Sequence, residues 1–228
     1  MNGLARSRHT CSTYQGVTMN NKSGLILRHT PGVRANHWFV AIVFILATLS
    51  GLAFFHPAFF FLSSLFGGGP WAKILHPFVG VIMLVAFFML ASKEWQYNRV
   101  TDADHQWQKK AMDIMLNHPV EMPDIGRYNI GQKYLFRTLL LMIAILFLTG
   151  IVIWQPYFAP MFSIGLVRLA VVAHGIAGFV TIVAIIVHIY AAYWTRGAIR
   201  GMTRGTVTAA WAKHHYPGWY KEMSKRSE

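Results

Sequence analysis

The chain has 228 residues, 54% of them hydrophobic and only 13% charged, a balance too apolar for an ordinary soluble domain and fitting a polytopic membrane protein. Its formal net charge of +13 does not describe a nucleic-acid surface, because the basic residues form no continuous face and stand between long apolar runs. Cys11 is the only cysteine, which excludes an intrachain disulfide, an all-cysteine iron–sulfur cluster and a thioether-linked haem.

Residues 1–24 read as a cytoplasmic N-terminal extension. The first 35 residues are polar, hold no apolar stretch of the signal-peptide kind, and include Met19 as an alternative start. Residues 25–223 are predicted to form one four-span domain, followed by a tail at 224–228. Four apolar runs, at about 37–55, 74–92, 134–154 and 166–194, approach the roughly 20 residues needed to cross a bilayer. The last is long enough to tilt or to project beyond the membrane. The predicted fold class is all-α, a four-helix transmembrane bundle.

The connections orient the bundle. Residues 1–36, 93–133 and the tail from 195 hold 18 of the 21 lysines and arginines, whereas 56–72 and 155–165 hold none. The positive-inside rule therefore places both termini and the 93–133 loop in the cytoplasm. The outer stretch "FFHPAFFFLSSLFGGGP" is too aromatic for a solvated loop and is assigned to the interface, either as a lipid anchor or as a partner contact. At the cytoplasmic entrance of span 3, Arg127 and Lys133 suit lipid headgroups and Tyr128 the aromatic belt. His9, His29, His105, His118, His214 and His215 fall in polar segments and read as solvated, and His56 as interfacial.

Four histidines fall at two depths. Fourteen residues separate His174 from His188, or about 21 Å along a helix, and leave them only about 40° apart around its axis. They share a face, with His174 near the outer surface and His188 near the inner one. His37 opens span 1 at the inner depth and His76 opens span 2 at the outer depth. Each level thus receives two imidazoles from different helices, the donor set that six-coordinate haem iron requires for its two axial positions. Gly80 and Gly178, four residues after His76 and His174, keep bulk away from the outer pair, as does Gly51 on span 1. Close helix packing of the small-xxx-small kind is the other use for such glycines. A histidine-using transporter or a purely structural anchor would be the alternative from another class. A transporter normally brings carboxylates into its spans, and these spans contain no Asp or Glu. Arg168 stands where it would either meet an outer haem propionate or snorkel to the headgroups.

The stretches "NHWFVAIVFILATLSGLAFF", "ILHPFVGVIM", "GRYNIGQK", "GIVIWQPYFAP" and "WAKHHYPGWYKE" together resemble the cytochrome b (gamma) subunit of respiratory formate dehydrogenases, over roughly residues 25–223. The cytochrome b subunits of nickel–iron hydrogenases share the two-haem plan but are less similar in the loops. The resemblance implies two haem b groups, the outer on His76 and His174 and the inner on His37 and His188. It implies an iron–sulfur beta subunit and a molybdenum- or tungsten-containing alpha subunit that oxidises formate on the periplasmic side, with no formate-oxidising centre in this chain. It further implies a bacterial inner-membrane location and delivery of electrons to menaquinone or ubiquinone at a cytoplasmic-side pocket. That pocket would lie around Asn129, Gly131 and Gln132. One departure is visible at Gln155, a position where relatives often carry Arg.

From the residues alone, "DIGRYNIGQK" is an interfacial loop with some prospect as a ligand site. Its Asn and Gln amides can hydrogen-bond a quinone carbonyl, and Gly131 permits close backbone approach.

Overall fold

A computed structural model describes residues 19–20, 24–116 and 118–225. Arg6, Arg8, His9, Cys11, Lys22 and Arg226 lie outside the described residues. In chain order the elements begin with β1 (Met19–Asn20), β2 (Leu25–Leu27), α1 (Pro31–Phe55), a 3-10 helix at Pro57–Phe66 and α2 (Gly69–Glu94). The short α3 (Asp102–Lys109) and α4 (Ala111–Met115) follow, then α5 (Ile130–Ile153) and α6 (Ile164–Trp194). The chain closes with α7 (Ala198–Thr203), β3 (Thr206–Thr208), α8 (Ala209–His215) and α9 (Pro217–Lys225).

The four long helices α1, α2, α5 and α6 are each long and apolar enough to cross a membrane. Three of them start several residues before the corresponding apolar run: at 31 instead of 37, 69 instead of 74, and 130 instead of 134. Hydropathy marks the edge of the hydrocarbon, whereas a helix continues outward until its end groups are satisfied. Pro31 and Pro70 sit in the first turns of α1 and α2, where a missing N–H costs nothing. Asn129 and Gln132 close α5 with a reciprocal capping box.

A core of Val43, Met83, Phe87, Ala91 and Ile143 joins α1, α2 and α5. Helix α5 packs along α6, α1 along α2, and α2 against α5, while α1 and α6 touch only sparsely. Lipid is as apolar as leucine, so close fit and polar contacts, not exclusion of water, select these pairings. The loose seam beside α6 is where the candidate site lies.

One end of the bundle carries a folded cap; we call it the basic end. The antiparallel sheet β1–β2–β3 pairs Leu25, Ile26 and Leu27 with Thr208, Val207 and Thr206. Met19 and Asn20, in the segment that sequence alone sets apart as an extension, pair with Ile26 and Leu25. Ile26, Ile125, Val207, Ala212, Tyr216, Trp219 and Met223 form a second core under this sheet. Helix α9 lies so close to the 124–125 backbone that a Cβ at Gly218 would come within 2.5 Å of the Asp124 carbonyl oxygen. The opposite end, with the exposed aromatic helix Pro57–Phe66, is here the far end.

Candidate functional site

The structure brings the four span histidines together in two pairs. At the basic end the His37 and His188 ring centres are 6.3 Å apart, and at the far end those of His76 and His174 are 6.2 Å apart. Two imidazole nitrogens each roughly 2 Å from a shared metal, with each ring centre about 1 Å behind its nitrogen, give about 6 Å between centres. The observed ring separations match that distance. Among the described residues no group of three or more His, Cys, Asp or Glu side chains converges, and each level offers a pair of imidazoles.

The far-end rings are held from behind. Ser50 Oγ lies 2.8 Å from His76 Nδ1, and Thr149 Oγ1 lies 2.9 Å from His174 Nδ1. The residue after each hydroxyl is a glycine against the same ring: a Cβ at Gly51 would stand 3.2 Å from His76 Cε1, and one at Gly150 would stand 3.5 Å from His174 Cε1. A Cβ at Gly80 would meet nothing within 4 Å, and one at Gly178 only Leu146 Cδ2 at 4.0 Å. Among the described residues no other helix closes against Gly80, and the space beside the far-end pair would suit a flat macrocycle. At the basic end His37 Nδ1 is buried without a hydrogen-bond partner. Sequence reasoning missed Ser50 and Thr149, although the dipeptides Ser50–Gly51 and Thr149–Gly150 recur 26 and 25 residues before a span histidine.

The segment Asn129–Gln132 is occupied locally. Asn129 Oδ1 accepts from the Gln132 backbone N–H at 3.0 Å, and Gln132 Oε1 accepts from the Asn129 N–H at 3.0 Å and the Tyr216 hydroxyl at 3.2 Å. With both amide oxygens engaged, both NH₂ groups remain as donors. Gly150 of α5 lies against His174 of α6. Carrying that antiparallel register back along α5 sets Gln132 opposite about residue 192, one turn beyond His188. Gly131 is near Asn129 Oδ1, which a Cβ would meet at 3.4 Å.

Several neighbours depart from the sequence expectation of lipid or solvent contact. Lys133 is only 3% exposed and donates to Asp104 Oδ2 at 2.6 Å and to the Arg99 carbonyl at 2.8 Å. The Tyr128 hydroxyl donates to Glu94 Oε2 at 2.7 Å, and burial pushes its pKa up, with the Glu94 charge adding to the effect. Arg127 exchanges backbone-directed hydrogen bonds with Arg28, whose guanidinium lies over the Tyr216 and Trp219 rings at 4.4 Å. His29 is buried beside this cluster, and burial, then the Arg127 and Arg28 charges, lower its pKa to about 2. These groups were misread because their partners come from segments 29 to 99 residues away. Arg168 is on the exposed surface of α6.

Paired imidazoles on four apolar helices long enough to cross a membrane fit the class of b-type cytochromes. A family model described as prokaryotic cytochrome b561 matches residues 28–205, and the chain belongs to that family. Within it, the chain falls among the cytochrome b556 subunits of formate dehydrogenase. It is 45% identical over 203 residues to the formate dehydrogenase cytochrome b556(fdo) subunit of Escherichia coli strain K12, covering 89% of this chain and 95% of that one. It is 40% identical over 205 residues to the Haemophilus influenzae cytochrome b556 subunit, covering 89% and 86%. It is 38% identical over 205 residues to the nitrate-inducible cytochrome b556(Fdn) subunit of Escherichia coli strain K12, covering 90% and 94%. Haem and electron transport follow from membership of this family.

Proposed function

We propose that this chain is the dihaem, quinone-reducing cytochrome of a formate dehydrogenase complex in the bacterial inner membrane. The observation that carries the reading is the two imidazole pairs, 6.2 and 6.3 Å between ring centres, spaced about 21 Å apart along α6. Haem b groups bound there would supply one-electron carriage between a periplasmic iron–sulfur subunit, fed by a molybdenum or tungsten alpha subunit, and a quinone on the cytoplasmic side. His76 and His174 would hold the outer group, and His37 and His188 the inner one.

The chain's own residues then divide the work. Neutral imidazoles would provide nitrogen lone pairs to the iron, and Gly80 and Gly178 would keep side chains out of the space beside the far-end pair. The NH₂ groups of Asn129 and Gln132, their amide orientation set by the capping box, are the donors offered to a quinone carbonyl. Gly131 keeps that approach free of a side chain. The clustering of basic residues supports placing this end in the cytoplasm. Moving one charge across the full membrane against the potential costs about 2.3 kcal/mol per 100 mV, so this placement couples quinone reduction to energy storage.

The test is haem stoichiometry in the purified complex. Acid–acetone is expected to extract all the b-type haem, at a ratio near two per chain. His174→Ala should remove one haem and His37→Ala the other. A ratio near one, or haem that resists extraction, overturns the two-haem reading.

A further inference from the structure

The two far-end hydroxyls each stand between a histidine and their own helix. Ser50 Oγ is 2.8 Å from the Leu46 carbonyl and 3.1 Å from that of Ala47, besides 2.8 Å from His76 Nδ1. Thr149 Oγ1 is 2.6 Å from the Ile145 carbonyl and 3.3 Å from that of Leu146, besides 2.9 Å from His174 Nδ1. A hydroxyl has one proton and two lone pairs, and a carbonyl oxygen can only accept. Placing the proton toward the backbone carbonyl leaves neither short oxygen–oxygen contact without a hydrogen bond, and the oxygen then faces Nδ1 as an acceptor. Nδ1 must then be the protonated nitrogen of both rings, which leaves both Nε2 atoms as bare lone pairs.

The same geometry fixes the ring orientation. Each hydroxyl pins Nδ1, and the glycine beside it lets the Cε1 edge of the ring close against the helix. The two rings are held 73° apart in plane, against 53° for the basic-end pair. The basic-end pair lacks the device on at least one side, since His37 Nδ1 is buried and unpartnered. Back-bonding of Ser or Thr to its own helix is common, so the carbonyl contact alone would mean nothing. The second contact, repeated on two helices against two rings of one pair, is what calls for a role.

We infer that Ser50 and Thr149 are positioning residues for the His76–His174 haem, setting the tautomer, the ring planes and the donor strength of its axial ligands; this rests on the haem reading above. Accepting a hydrogen bond from Nδ1 makes an imidazole more basic at Nε2. A more basic ligand favours ferric over ferrous iron, so the hydroxyls hold this haem at a lower reduction potential than the same rings would give unaided.

The experiment compares the purified complex with Ser50→Ala, Thr149→Val and Thr149→Ser. Valine keeps the shape of threonine without the hydroxyl, and serine keeps the hydroxyl without the methyl. Potentiometric titration of the haem α-band is expected to show the His76–His174 haem shifted upward in Ser50→Ala and Thr149→Val. The other haem should be unmoved, and Thr149→Ser should return to the wild-type value. Electron paramagnetic resonance of the oxidised complex should show only one of the two low-spin signals displaced, because its g-values follow the angle between the ring planes. Loss of that haem alone from Ser50→Ala or Thr149→Val, with its retention in Thr149→Ser, supports the same role. Unmoved potentials and signals in both hydroxyl-free variants, equal shifts of both haems, or loss of both together overturn it. A wild-type complex with fewer than two bis-imidazole signals overturns instead the haem reading beneath it.

Discussion

Lys133 stands at the start of a membrane helix, yet its ammonium is turned into protein. Its Nζ reaches Asp104 Oδ2, which is fully buried and also accepts from the Thr101 backbone N–H and hydroxyl, each at 2.8 Å. Removing one member of a buried pair strands the other, at a cost of about 3–5 kcal/mol. Lys133→Met is therefore expected to lower the stability of the solubilised chain by about that amount. Heating curves followed by near-ultraviolet circular dichroism measure it. Adding Asp104→Asn should recover much of the loss, because a neutral amide can still accept from Thr101 and no charge is left stranded. No recovery would mean that the pair matters for packing and not for charge. Sequence showed Lys133 as a cation at a hydrocarbon edge, where snorkelling is the usual explanation. Its partner is 29 residues away on a short helix, a separation that no local pattern encodes.

The N-terminus of α5 combines helix closure with the donors proposed for the quinone, and the two uses can be separated by one substitution. In Gln132→Glu the carboxylate can still accept from the Asn129 N–H and the Tyr216 hydroxyl, so the helix end keeps its closure. The NH₂ donor is gone. A lost hydrogen bond of about 1–1.5 kcal/mol corresponds to roughly a tenfold change in rate. Formate should still reduce both haems in this variant, while stopped-flow reoxidation by added quinone slows by about that factor. Reoxidation at the wild-type rate would remove Gln132 from the site. At this scale the long helices were legible because four runs of apolar residues have no other economical home than a bilayer. The sheet at the basic end was not, because strands of two and three residues carry no periodic signal. Ser50 and Thr149 were passed over for a related reason: a hydroxyl inside a span reads as bonded to its own helix, and only the fold shows the second contact.

The whole molecule is asymmetric across the membrane, with a folded basic cap at one end and an aromatic, cation-poor rim at the other. That asymmetry sets the direction in which the proposed chemistry runs. A reporter active only in the periplasm, fused after Glu228, is expected to be silent, and one inserted near Gly68 to be active. The opposite pattern would exchange the inner and outer levels and send quinone reduction to the wrong side. Both levels also depend on α6, which carries His174 and His188 in one uninterrupted helix. Inserting or deleting a single residue between them would turn one imidazole by about 100° relative to the other and shift its depth by about 1.5 Å. The side chains Ile176, Phe179, Val183 and Ile186 of that stretch are exposed on this chain, and each is expected to tolerate exchange for another apolar residue. Between the two imidazoles, residues 175–187 act as a spacer whose number fixes both the turn and the depth from one histidine to the next, whatever apolar side chains stand on its outward face.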